Sequence, residues 1–93
     1  MTMYTQKILD LGKAYPRMSV TNLGLLLTLY DLGRATANEL AKIIAMKPVG
    51  VREQLTRFSE RGLTTITNVD GKMHHLLTGE ARTIINGVFD YEG

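Results

Sequence analysis

The sequence contains no cysteine. Disulfides, cysteine-ligated zinc and a thiol nucleophile are thereby excluded, and the absence is compatible with a reducing compartment. Long hydrophobic runs are also missing. The most apolar stretch, LGLLLTLYDLG at 23–33, falls short of the roughly 20 residues needed to cross a bilayer. The first residues, MTMYTQKILDLGK, lack the apolar stretch of a secretory signal. A soluble, cytoplasmic protein is the expectation. Signatures of enzyme chemistry are equally sparse. The glycine-bounded segments GLLLTLYDLG and GVREQLTRFSERG lack the lysine-serine/threonine ending of a phosphate loop. No serine sits in a nucleophile elbow, and no pair of carboxylates has a spacing suited to acid–base work. No enzyme activity and no cofactor are expected.

What is present is a chain of 93 residues, enough for one domain with a small core, and 44% of it is hydrophobic, which argues for a folded state. Net charge is only +2, but it is unevenly placed. Residues 34–62 carry Arg34, Lys42, Lys47, Arg52, Arg57 and Arg61 against three glutamates, while residues 63–93 are net acidic. A basic middle third is what a polyanion partner requires. A normally solvated surface is the alternative reading of charge alone.

The pattern along the chain predicts a helix over 3–14, with Tyr4, Ile8 and Leu11 at i, i+4, i+7 and Pro16 beyond it. Ser19 is placed to cap a second helix over 20–32, whose leucines cover most of its circumference and mark it as a central core helix. Gly33 stands where a terminating glycine belongs. Thr36 followed by Glu39 is a capping box opening a third helix. Pro48 then marks the start of a fourth helix, over 48–61, because a proline loses nothing in the first helical turn. Two such helices joined by a short turn form a helix-turn-helix over 36–62. TTITNV, Asp70–Gly71 and KMHHLL read as a β-hairpin over 64–77, since both turn positions favour positive φ. Thr78 can cap a last helix over 79–90. The predicted fold is mainly α with a small β-hairpin wing: one winged helix-turn-helix domain.

Residues 18–86 resemble the MarR-type transcriptional regulators. The resemblance is carried by ELAKIIAMKPVGVREQLTRFSERGL at 39–63, DGK at 70–72 and LLTGEAR at 76–82. The chain departs from the family pattern at Val49 and Gly50, where hydroxyl residues are frequent, and at Glu53, where arginine is frequent. The resemblance implies a homodimer made by the first and last helices, for which Tyr4, Ile8, Ile84, Ile85, Val88 and Phe89 are the candidates. It also implies small aromatic effectors, although no residue here identifies their site.

On the fourth helix, Val51, Leu55 and Phe58 define one side, which must face the core. The opposite side is free to enter a major groove, and residues near the helix start reach deepest. Lys47, Val49, Gly50, Arg52 and Glu53 are the candidate base-facing residues, with Arg57 near the backbone. Val49 suits a thymine methyl, Arg52 a guanine and Glu53 a cytosine amino group; simple solvation is the competing account of Arg52 and Glu53. Thr36 and Asn38 begin a helix whose amides suit phosphate, although capping alone explains Thr36. Lys72 suits the minor groove or backbone, or equally the protection of an exposed strand edge. His74 and His75, adjacent on a strand, point to opposite faces and do not form a metal pair; no metal is expected, and His74 is instead a candidate to face DNA from the wing, depending on the parity of the strand. Met18, Met46 and Met73 are expected to fill gaps in the core. The expected function is that of a sequence-specific regulator, a repressor, bound to double-stranded DNA. The alternative is a winged-helix module that docks protein.

Overall fold

Helix α1 (Met3–Ala14) leads to α2 (Val20–Leu32), α3 (Ala37–Ile44) and α4 (Pro48–Glu60), followed by strands β1 (Thr64–Val69) and β2 (Lys72–Leu77) and helix α5 (Gly79–Asp90). The computed structural model describes residues 3–90, with side chains from 5 to 89. This is the architecture the sequence predicts, except that α4 ends one residue earlier.

Helix α2 is the axis of the core. Leu23, Leu25, Leu26, Leu27 and Leu29 are all buried, which an isolated amphipathic helix does not achieve. Its start is held by Ser19, whose Oγ accepts from the Asn22 amide at 3.2 Å. Gly33 ends it at φ +85°, a conformation that favours glycine. Ile8 and Leu11 of α1, Ala81 and Ile85 of α5, and Leu40, Val51, Leu55 and Phe58 of the helix-turn-helix complete the same cluster.

The turn between α3 and α4 is made by Ala45 in the left-handed region at φ 56°. At its far end, α4 stops in a double bond: the Gly62 amide donates to Ser59 O at 3.0 Å and the Leu63 amide to Phe58 O at 2.9 Å. Gly62 sits at φ +75°. This pairing absorbs orphan carbonyls and buries Leu63 with Phe58. Arg61 is thereby the capping residue, which is why the helix is shorter than its spacing suggests.

The wing is antiparallel, with Val69 opposite Lys72 and Thr64 opposite Leu77. Asp70 and Gly71 both take positive φ, and Asn68 Oδ1 accepts from the Gly71 amide at 3.0 Å. Ala35 adds a third, one-residue strand: it exchanges two bonds with His75, of 3.0 and 2.8 Å. Thr78 closes the unit. Its Oγ1 donates to Gly62 O at 2.8 Å and accepts from the Ala81 amide at 3.1 Å, so one hydroxyl joins the end of α4 to the start of α5.

Of the three methionines expected in the core, Met18 and Met46 pack against it. Met73 does not; it is 56% exposed. It shares a face with buried Leu77 but lies four residues nearer the hairpin tip, beyond the reach of the core.

Candidate nucleic-acid interface

Three buried anchors decide how α4 is presented. Val51, Leu55 and Phe58 are all sealed in the core. The helical period therefore turns Arg52, Glu53, Thr56 and Arg57 outward, and all four are exposed. At the helix start, Lys47 is exposed and makes no side-chain cap bond, so its ammonium is not used to close the helix. Val49 is 58% exposed. A Cβ on Gly50 would meet Met46 Cε at 3.4 Å, an ordinary contact. Nothing inside the chain therefore demands glycine there, and its effect is to lower the outer surface of the helix tip.

Helix α3 brings a second set of groups to the same side. The Thr36 hydroxyl accepts from the Glu39 amide at 3.1 Å, and the Glu39 carboxylate accepts from the Thr36 amide at 2.9 Å. These reciprocal bonds leave the Ala37 and Asn38 amides to face outward at the positive end of the helix. Asn38 Oδ1 lies 3.5 Å from Arg52 Nη2, linking the start of α3 to α4. Thr36 is thus primarily a cap, while Asn38 and Arg52 are neighbours on one surface.

The wing supplies the third wall. A groove of about 890 Å³ runs between the first turn of α3, Arg52 and Thr56 of α4, and Ile66 with Lys72 to His75 of the wing. Of the residues singled out from sequence, it brings together Thr36, Asn38, Arg52 and Lys72. Thr56 and His74, which the sequence also allowed to face DNA, line it too; sequence reasoning left out Lys42, Ile66, Met73 and His75. Two signals were available. Lys42 lies four positions after Asn38 and so shares its helix face. The two-residue turn fixes the hairpin register, which puts His74 on the face of Lys72.

The electrostatics of the groove are set by few groups. The bond from the Thr36 amide, helped by its hydroxyl and by His74 and Lys72 nearby, holds the Glu39 carboxyl below the usual carboxylate range. Burial pushes His75 below the ordinary imidazole value, and neighbouring His74 acts in the same direction. Lys42, Arg52 and Lys72 line the same groove as the Glu39 carboxylate.

The residues expected at a dimer interface are not all placed alike. Ile8 and Ile85 are spent on the chain's own core, because α1 and α5 pack on each other and on α2. Phe89 is half-buried, with its ring edge-on to Tyr30 at 5.5 Å and Lys7 over it at 5.5 Å. Ile84 is 44% exposed and Val88 half-buried, and Leu9 of α1 is also exposed. A groove of about 440 Å³ separates α1 from α5 beside Val88. The Tyr4 side chain lies outside the described residues.

Neither a protein-family model nor a curated protein matches this sequence. Solved structures do. RV1404 from Mycobacterium tuberculosis superposes with a TM-score of 0.79 at 13% identity, over 96% of this chain and 63% of that one. A MarR-like transcriptional regulator from Thermotoga maritima gives 0.77 at 18% identity, over 86% of this chain and 60% of that one. The fold is that of the MarR-type regulators. BpsR of Bordetella bronchiseptica, whose DNA binding is regulated by 6-hydroxynicotinic acid, shares the same MarR-like fold with a TM-score of 0.69 at 18% identity, over 96% of this chain and 67% of that one. The chain thus spans 60–67% of the length of these three proteins. Among the described residues, no helix of this MarR-like fold is long and apolar enough to cross a membrane.

Proposed function

We propose that this chain is a double-stranded DNA-binding transcriptional regulator that inserts α4 into the major groove. One observation carries the reading. Three buried residues on one side of α4 leave Arg52, Glu53, Thr56 and Arg57 exposed, and Arg52 and Thr56 line a groove that the start of α3 and the wing complete with Lys42 and Lys72. A B-DNA major groove is about 12 Å wide and admits such a helix. In this arrangement Lys47, Val49, Gly50, Arg52 and Glu53 face bases, Arg57 and the α3 amides meet phosphates, and Lys72 follows the adjacent backbone. The fold shared with a MarR-like transcriptional regulator and with BpsR supports the same assignment.

The regulator acts as a homodimer, with Ile84 and Val88 of α5 and the exposed side of α1 meeting a second copy. Two copies present two α4 helices to a palindromic site, and repression follows by occluding a promoter.

Duplex binding measured against salt tests the reading. Neutralising several phosphates makes log K fall with log salt at about 0.9 per phosphate. The expected result is a steep negative slope and tight binding at low salt. No binding to any duplex at low salt would reject DNA as the partner and favour the docking of a protein on α4 and the wing.

A further inference from the structure

The outward face of α4 changes character along its length. Val49, Arg52 and Glu53 stand at i, i+3 and i+4, so they share one face, with Val49 nearest the helix start. Val51, Leu55 and Phe58 are buried, whereas Val49 is 58% exposed. Its neighbours add no polar side chain: Pro48 carries an apolar ring, and Gly50 carries no side chain. Lys47 lies ahead of this segment at the N-cap position, and Arg52 lies beyond it. Between them the tip of α4 holds no side-chain donor or acceptor. The amides of the first turn point along the axis, out of the helix end and not off its side.

In a helix docked this way, the residues near its start meet the base edges. A side chain without donor or acceptor cannot read the hydrogen-bonding pattern of those edges. One apolar feature remains in the major groove, the C5-methyl group, which thymine alone of the four bases carries. Valine suits it. Its two methyl groups branch from Cβ, and in a helix χ1 is nearly fixed, so little rotamer freedom is lost on contact. Because Val49 is left exposed by its own chain, its apolar area is free to be buried against that methyl. Gly50 beside it adds no bulk to hold the base edge away.

We infer that Val49 sets specificity at the tip of α4, and that it does so by reading the 5-methyl group of a pyrimidine and not the hydrogen-bonding edge of a base. The inference rests on the DNA-binding reading above and deepens it. The chemical class recognised is a 5-methylpyrimidine. A 5-methylcytosine therefore satisfies the tip as thymine does, and uracil does not. Hydrogen-bonding edges are read one turn further along, by Arg52 and Glu53.

The test takes a duplex selected from a random pool and replaces each thymine in turn by deoxyuridine, which removes the methyl group and keeps the hydrogen-bonding edge. The wild-type chain is expected to lose about fourfold in affinity at one thymine for each α4 bound, the worth of burying one methyl-sized group. With a C·G pair at that position, methylating the cytosine at C5 is expected to raise affinity by about the same factor. Val49→Ala is expected to be indifferent to both changes, with thermal melting confirming that the variant is folded. No thymine whose methyl matters, a methyl response retained in Val49→Ala, or duplex binding without sequence preference would overturn the inference while leaving DNA binding intact. Absence of binding to any duplex would instead overturn the DNA-binding reading, and this inference with it.

Discussion

Gln54 Oε1 on α4 accepts a hydrogen bond of 3.0 Å from Asn22 Nδ2 at the start of α2. The two residues are 32 positions apart, and the contact is part-buried. It lies on the flank of α4 between the buried side and the exposed one, and so resists rotation of the helix about its own axis. Three apolar anchors hold α4 down; this amide pair holds it at one angle. Gln54→Ala is expected to lower stability by about 0.5–1.5 kcal/mol, the net worth of a typical hydrogen bond. A double-mutant cycle with Asn22→Ala, read by denaturant melting, is expected to show coupling of that order. Strict additivity of the two losses would deny the clamp.

Arg52 and Arg57 are both exposed on the outward side of α4, but only Arg52 is linked to the start of α3. Arg52→Ala is expected to cost about 1–3 kcal/mol on the preferred site and to relax specificity at one position. Arg57→Ala is expected to weaken all sequences alike and to reduce the salt slope by about one phosphate. Selection from a random duplex pool, followed by affinity measurements on matched and mismatched sites, separates the two. Uniform losses for both variants would remove Arg52 from the base-reading set.

Stability is expected to fall on acidification in two steps. His75 has a folded-state pKa depressed by burial. The unfolded chain therefore binds the proton first, so this contribution is complete above the ordinary imidazole value of 6.5 and is lost as pH falls through the lower folded value. Glu39, depressed by its capping bonds, behaves the same way in the carboxylate range. Its contribution is complete above its ordinary value of 4.5 and is lost below. Urea melts at successive pH values are expected to show His75→Gln without the first step. Glu39→Gln preserves an acceptor for the Thr36 amide and is expected to lack the second.

Ile84 is the exposed apolar residue on α5, beside half-buried Val88. Ile84→Glu is expected to leave the fold within about 0.5 kcal/mol of wild type, as surface substitutions usually do, while separating the dimer. Sedimentation at matched concentration checks this. A wild-type chain that sediments as a monomer, or a variant that remains dimeric, would remove α5 from the interface. Ile85→Glu is a poor probe of the same question, because Ile85 is fully buried in the chain's own core.

Much of the architecture was legible in the residues themselves, because its signals are local. Ser19, the Thr36–Glu39 pair, Pro48, Gly62 and Asp70–Gly71 each satisfy or terminate backbone bonds within a few positions of themselves, so one-dimensional spacing was sufficient to place every element. The anchors Val51, Leu55 and Phe58 were legible for the same reason, since a helix repeats its face along the chain. The interface was harder to read. Met73 resembles a core residue in composition, yet its depth depends on how far the wing projects. Ile8, Ile84 and Ile85 have equal hydrophobicity, yet only the packing of α1 against α5 decides which of them remains exposed.

The order of elements, their ends to within one residue and the inward side of α4 were therefore determined by the sequence alone. The groove that gathers Asn38, Arg52, Lys72 and His74 was decided only in three dimensions. It joins residues from α3, α4 and the wing, and its form depends on the Ala35–His75 bonds, the Thr78 link and the Asn22–Gln54 clamp. Contacts between elements far apart in the chain leave no periodic trace in it, because their energies depend on distances that exist only once the core has closed.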